Sequence, residues 1–106
     1  MFHVKPHLYV RIDMTIPGAG SVTHLAELAE IDEATCRMVR IIELDPAGVI
    51  RGAATQSAVA GMANKPNDVV PHPDSYADFP DIESRPLEDG EFEGLWAEAT
   101  AAFPEL

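Results

Sequence analysis

The stretch HLYVRIDMTI, residues 7 to 16, alternates apolar and polar side chains over most of its length. A period of two is the pattern of a β-strand that buries one face, so the sequence predicts a strand here. The stretch PGAGS that follows, residues 17 to 21, has the proline and glycines of a turn. We assign the buried face of the strand to its even positions, Leu8, Val10, Ile12, Met14 and Ile16.

The next clear signal is a hairpin. CRMVRIIEL, residues 36 to 44, is apolar at both parities, as is typical of a central strand that is covered on both faces. DPAG, residues 45 to 48, has the chemistry of a turn, and VIRGAA, residues 49 to 54, can return antiparallel. The pattern assigns Val39 and Ile41 to one face of the central strand, and Met38, Ile42 and Leu44 to the other.

Residues 22 to 33, VTHLAELAEIDE, fit two structures. Leu25, Leu28 and Ala29 fall on a helical stripe, and the alanine, glutamate and leucine content favours a helix by propensity. The pattern alone therefore favours a short helix.

The C-terminal part predicts an amphipathic helix. Glu88 or Asp89 is suited to its first turn, where the helix dipole favours negative charge, and Pro104 would end it. One short helical turn is expected around Tyr76. The apolar stripe that would face the sheet consists of Phe92, Leu95, Trp96, Ala99 and Phe103.

These elements together predict an α+β fold. We expect a single domain over residues 1–106, with a small antiparallel β-sheet of about four strands and a C-terminal amphipathic helix packed on one face. Residues 55–71 are rich in small residues and contain NKPND, so we expect a flexible surface loop there. The N-terminal MFHVKPHLYV lacks the apolar core of a signal peptide, and no apolar run is long enough for a membrane span, so the expected location is the cytoplasm.

The net charge of −11 is divided unequally along the chain. Residues 1–65 hold six basic and seven acidic side chains, whereas residues 66–106 hold one basic and eleven acidic side chains. Such a field repels phosphate backbones and anionic lipids, so we expect neither nucleic-acid nor membrane binding. A basic protein is the natural complement.

Three segments, taken together, resemble a family of small bacterial domains of unknown function. They are IDEATCRMVRIIELDPAG, VPHPDSYADF and DIESRPLEDGEFEGLW, and the likeness covers roughly residues 8 to 100. The pattern combines an R-x-V-x-I hairpin with a glycine turn, a P-x-P segment and an acidic E-F-E-x-x-W helix. These elements fall on Arg37, Val39 and Ile41, on Gly48, on Pro71 and Pro73, and on Glu91, Phe92, Glu93 and Trp96. The resemblance implies a strand and not a helix near residues 24 to 31, and we adopt the strand.

Signals for catalysis or metal binding are weak. His3, His7, His24 and His72 are scattered, and none has zinc-site spacing with Cys36. Cys36 lies in a predicted strand and is expected to be a packed thiol. His72, Asp74 and Ser75 are near in sequence, but sequence neighbours seldom form a nucleophile and base pair. We therefore expect no enzymatic activity, cofactor or metal.

The preferred hypothesis is an acidic cytoplasmic protein-binding domain. Its concrete form is an immunity protein that neutralises a basic, nuclease-type bacterial toxin, by analogy with the small acidic α+β domains common among such inhibitors. The acids would form an outward ridge against the partner, while a purely solubilising acidic surface is the plain alternative. The predicted partner-binding residues are Asp78, Asp81, Glu83, Glu88, Asp89, Glu91, Glu93 and Glu98.

The main alternative is a small enzyme or ligand-binding domain. Its site would lie between the 55–71 loop and the acidic helix. A cavity with convergent polar groups would favour this alternative, and a convex acidic face would favour the inhibitor.

Overall fold

A computed structural model of the chain describes residues 7–16, 18, 20–61, 68–78 and 82–106. Within these residues, seven strands form one sheet and a single α-helix follows them. A 3-10 helix, Pro73–Asp78, lies between the last two strands. The elements are β1 (Leu8–Ile16), β2 (Gly20–Glu30), β3 (Thr35–Leu44), β4 (Ile50–Thr55), β5 (Val59–Ala60), β6 (Val69–Pro71), β7 (Ile82–Pro86) and α1 (Asp89–Ala102).

The sheet is antiparallel throughout. Its strand order is β5-β4-β3-β2-β1-β7, and β6 pairs with the first residues of β3 beside β4. The predicted α+β class, with a sheet and a C-terminal helix, is confirmed, whereas the expected number of about four strands is wrong. The additional strands β5 and β6 contain two and three residues, which is too short to show an alternating pattern. β7, IESRP, has five residues but no apolar alternation, because its three central residues are all polar.

Of residues 22 to 33, those up to Glu30 form a strand and not a helix. β2 pairs with β1 from Leu8↔Leu28 to Ile16↔Gly20, and with β3 on its other side. Because both edges of this segment are satisfied by neighbouring strands, pairing overrides the helix propensity of its alanine, leucine and glutamate residues.

A β-bulge in β3 changes which face each residue occupies. Glu27 of β2 lies opposite Arg40, whereas the next residue, Leu28, lies opposite Met38, so Val39 is the extra residue. Beyond the bulge the parity is reversed. Met38 therefore shares a face with Ile41, and the predicted grouping of Val39 with Ile41 is wrong.

The two faces of the sheet have separate cores. On the face covered by α1, the helix face, the buried residues are Leu25, Ile42, Leu44, Ala53, Phe92 and Ala99. On the opposite face, the far face, they are Val10, Ala26, Leu28, Cys36, Met38, Ile41 and Ala54.

The chain between β6 and β7 has to cross the sheet, because β6 pairs with β3 and β7 pairs with β1. The 3-10 helix contains the predicted turn around Tyr76, whose hydroxyl donates to the Pro71 carbonyl oxygen at 3.0 Å. Tyr76 is buried, and this burial raises its pKa. The expected 55–71 loop is therefore partly strand, since it contains β5 and β6, and its residues 62–67 lie outside the described residues.

The hairpin turn and the helix follow the sequence prediction closely. Gly48 has a φ of +84°, which glycine adopts without strain, and the Asp45 carboxylate accepts hydrogen bonds from the amides of Ala47 and Val49. In α1, Phe92 is fully buried, whereas Trp96 is only partly buried. Among the described residues, no helix is both long enough and apolar enough to cross a membrane.

Candidate partner-binding surface and a cavity on the far face

The predicted acidic residues are distributed over the 3-10 helix, β7 and α1. Asp78 is the last residue of the 3-10 helix, Glu83 lies in β7, and Glu88 is the N-cap of α1. The members on α1 itself are Asp89, Glu91, Glu93 and Glu98. Asp81 and the side chain of Asp78 lie outside the described residues. Exposed carboxylates in this region are carried by Glu83, Glu88, Asp89, Glu91, Glu93 and Glu98.

Glu93 is not a free surface acid. Its two carboxylate oxygens accept hydrogen bonds from the Arg40 guanidinium at 2.9 and 2.6 Å. These bonds hold the pKa of Glu93 below its ordinary value and contribute most to raising the pKa of Arg40. Although the Glu93 side chain is 50% exposed, the contact neutralises much of the charge that it would present to a partner.

Arg40 also binds a buried carboxylate. Its Nε lies 2.6 Å from Oε1 of Glu27, which is only 3% exposed, and His7 Nδ1 lies 2.6 Å from the other oxygen of Glu27. The ring centroids of Phe92 and Trp96 lie 4.9 and 5.1 Å from the guanidinium carbon of Arg40. Arg40 thus connects the sheet to α1.

This network depends on the bulge in β3. Without the extra residue Val39, strand alternation would place Arg40 on the far face with Cys36 and Met38. The sequence analysis missed the network for that reason. The signal that the sequence does contain is Glu27, a charged residue at the parity of Leu25 and Ala29 in β2.

The outermost line of α1 consists of small residues. With 3.6 residues per turn and Phe92 facing the sheet, the positions that point directly away are spaced i, i+4, i+7 and i+11. All four are exposed, and a Cβ added at Gly90 or Gly94 would have no atom within 4 Å. We call this set the small-residue line: Gly90, Gly94, Ala97 and Ala101.

The carboxylates flank this line instead of forming the expected outward ridge. Glu91 and Glu98 are seven residues apart and share one side, whereas Asp89 and Glu93 lie towards the other. Glu91 has only a 3.9 Å contact with Arg85, and both of these side chains are about half exposed. The side with Glu91 and Glu98 therefore retains most of its negative charge.

A cavity of about 330 Å³ opens on the opposite side of the molecule. Its polar lining includes Glu30 and His72, whose Oε2 and Nε2 atoms lie 2.6 Å apart and whose side chains are each 7% exposed. The lining also includes Leu8, Val10, Pro73, Ser84 and Pro86. No residue of α1 and none of the described residues of the 55–71 segment lines it, so it is not at the place expected for the alternative site.

The neighbouring polar residues His72 and Ser75 do not form a nucleophile and base pair. The Ser75 hydroxyl donates to the backbone oxygen of His72 at 2.7 Å, whereas the imidazole is paired with Glu30. The side chain of Asp74 lies outside the described residues.

The described histidines each contact one glutamate. His24 Nε2 lies 3.1 Å from Glu43, and His7 and His72 contact Glu27 and Glu30 as described above. His3 lies outside the described residues. Within residues 7–16, 18, 20–61, 68–78 and 82–106, no three histidine, cysteine, aspartate or glutamate side chains converge as a metal site would require.

Comparisons with protein-family models, with curated proteins and with solved structures found no match to this chain.

Proposed function

We propose that this chain is an acidic protein-binding domain that docks a basic partner on the outer face of α1. The observation that carries the proposal is the small-residue line beside exposed carboxylates. A glycine inside a helix costs about 1 kcal/mol relative to alanine, and no contact among the described residues requires a glycine at Gly94. A partner that approaches the helix backbone closely would require it.

The charge distribution supports a basic partner. Residues 66–106 hold eleven acidic side chains and one basic side chain, and Glu91 and Glu98 lie beside the small-residue line. Complementary fields of this kind accelerate association and select partners, an effect for which barnase and barstar are the standard example. A partner surface that binds phosphate groups has the required basic character.

The concrete form of the proposal is an inhibitor of a nucleic-acid-processing bacterial toxin, acting in the cytoplasm. Carboxylates along α1 would take the place of substrate phosphates in the basic groove of the toxin. The resemblance of the hairpin, the P-x-P segment and the acidic helix to small bacterial domains supports this form. The expected partner is the basic C-terminal domain of a large secreted-type protein encoded by the adjacent gene, and the absence of such a gene would overturn the toxin form.

The experiment compares two charge reversals that change the net charge equally. Glu98→Lys alters the flank of α1, and Glu33→Lys alters an exposed turn between β2 and β3. With the neighbouring gene's basic domain as the probe, Glu98→Lys should slow association roughly threefold or more at low salt, and Glu33→Lys should slow it less. Equal effects would show that only the net charge matters.

A variant that changes shape and not charge tests the small-residue line. Gly94→Leu places a bulky side chain where a Cβ meets nothing in this chain, so the fold should tolerate it. Binding to the same probe should be lost. Unchanged affinity in a folded Gly94→Leu variant, verified by circular dichroism, would place the interface elsewhere.

The cavity on the far face favours a second candidate function, the binding of a small ligand. Its volume lies at the lower end of the range for ligand pockets, and it combines apolar walls with the buried pair of Glu30 and His72. A fragment screen by NMR tests this candidate. Binding should shift the methyl resonances of Leu8 and Val10, and a Val10→Phe variant, which narrows the cavity, should abolish the shift at Leu8.

A further inference from the structure

β7 is an edge of the sheet. Ile82–Pro86 pairs with β1 on one side, and no described strand pairs with its other side. Four of its five residues are exposed. An open edge of this kind presents unpaired backbone groups to any strand that can match it.

The register identifies which backbone groups are open. The Leu87 amide donates to the Tyr9 carbonyl oxygen at 2.9 Å, one position beyond the pair Val10↔Pro86. Hydrogen-bonded pairs alternate in an antiparallel ladder, so the backbone groups of Arg85 and Glu83 also face β1. Those of Ile82, Ser84 and Pro86 point to the open edge. The nitrogen of Pro86 faces the open edge, so its missing amide hydrogen costs no hydrogen bond to β1.

We propose that two copies of this chain pair through β7, antiparallel, about a two-fold axis at Ser84. The Ser84 residues of the two copies then exchange two backbone hydrogen bonds. The Ile82 amide of each copy donates to the Pro86 carbonyl oxygen of the other, which adds two more. The result is one continuous sheet with an isologous interface.

The side chains of β7 are self-complementary in this register. Glu83 of one copy lies directly opposite Arg85 of the other, twice, and Ile82 lies opposite Pro86. Shifting the axis by one residue places Glu83 opposite Glu83, or Arg85 opposite Arg85, and directly opposed like charges are destabilising. Charge therefore selects the register centred on Ser84.

The dimer should be weak and reversible. A five-residue edge is a smaller contact than the interfaces of permanent dimers, and two copies with a net charge of −11 each repel one another. Sedimentation velocity of the full chain from micromolar to millimolar concentration should show a monomer that converts to a dimer. A monomer at every concentration overturns the proposal.

Two charge reversals and their mixture test the interface and its register. Glu83→Arg gives a chain with arginine at both positions, and Arg85→Glu gives a chain with glutamate at both. Each variant alone should dimerise roughly tenfold or more weakly than the parent, because like charges oppose each other twice. An equimolar mixture should form the mixed dimer, because each opposed pair is again of opposite charge.

The mixture also controls for folding, since two misfolded variants would not restore each other. Ser84→Pro removes an outward amide without disturbing the bonds to β1 and should abolish the dimer, whereas Ser84→Ala keeps the amide and should preserve it. A dimer that persists in both single reversals, or a mixture that stays monomeric, shows that β7 is not the interface.

Discussion

Each face of the sheet buries one glutamate, and the two are held differently. On the helix face, Glu27 contacts Arg40, His7 and Tyr9, and the rings of Phe92 and Trp96 lie over the arginine. On the far face, Glu30 pairs with His72 at the lining of a cavity. The Glu27 carboxylate faces the permanent cation of Arg40, which the two aromatic rings cover. The Glu30 carboxylate faces the His72 imidazole beside the cavity.

The difference separates a structural role from a candidate binding role. A buried carboxylate requires a counter-charge and hydrogen bonds, and Arg40 supplies both to Glu27. Arg40 also donates hydrogen bonds to Glu93 of α1. This arrangement fixes α1 on the sheet and so fixes the direction in which its small-residue line points. The Glu30 and His72 pair connects β2 to the segment that crosses the far face, and the adjoining cavity leaves room for a ligand.

The largest expected effect is that of Arg40→Met. It removes the cation and leaves the buried Glu27 carboxylate beside His7 and Tyr9, so the free energy of unfolding should fall by about 3 to 5 kcal/mol. The double variant Arg40→Met with Glu27→Leu removes both charges and should recover most of this loss. Urea unfolding measures both. A single variant as stable as the double variant would show that Glu27 does not depend on Arg40.

The two rings that cover Arg40, those of Phe92 and Trp96, should contribute unequally to the free energy of unfolding. Phe92 is fully buried, so Phe92→Ala should cost about 3 to 5 kcal/mol, whereas the partly exposed Trp96 should cost about 2 kcal/mol when it is replaced by alanine. Thermal unfolding of the two variants compares them directly. If Trp96→Ala is the more destabilising, the partly exposed ring contributes more than the buried one, which contradicts the packing of α1 on the sheet.

The sequence predicts the elements that have a long, regular pattern. β1 and α1 show a clear hydrophobic period, and the β3–β4 hairpin shows a long apolar run followed by a turn at Gly48. The short edge strands contain too few residues for a period to appear. Their existence depends on which neighbours are available for pairing, and this is a property of the assembled sheet.

The candidate site shows the same limit more sharply. The sequence predicts the helix that carries Glu93, but it misses the contact of Glu93 with Arg40, because simple alternation along β3 would assign Arg40 to the far face. One extra residue at Val39 reverses that assignment. The pairing of Glu30 with His72, 42 residues later, has no local signal, since it arises from the chain crossing the far face.

The far-face pair provides the next comparison. Glu30→Gln keeps the size and one acceptor oxygen but removes the charge, so it should cost about 1 to 2 kcal/mol, less than Arg40→Met. The expected loss is smaller because no permanent buried charge is left without its partner. Urea unfolding at neutral pH checks the order. A loss equal to that of Arg40→Met would mean that both faces rely on a fully ionised buried pair.

The smallest expected effect lies at the rim of the helix face, where the bond from Arg40 lowers the pKa of Glu93 from its ordinary value of 4.5. A carboxyl whose pKa is lower in the folded state stabilises the fold above the pKa of the unfolded state, and this stabilisation is lost as the pH falls through the folded pKa. Glu93→Gln should therefore cost less than about 1 kcal/mol at neutral pH, because the Glu93 side chain is half exposed. The difference from the parent should shrink as the pH falls below 4.5.

Glu91→Gln is the matched control, since the Glu91 carboxylate has only a 3.9 Å contact with Arg85 and should show a smaller dependence. A difference that grows with acidity, or one that is equal in both variants, would show that Arg40 does not hold Glu93 in solution and that α1 is fixed by its rings alone.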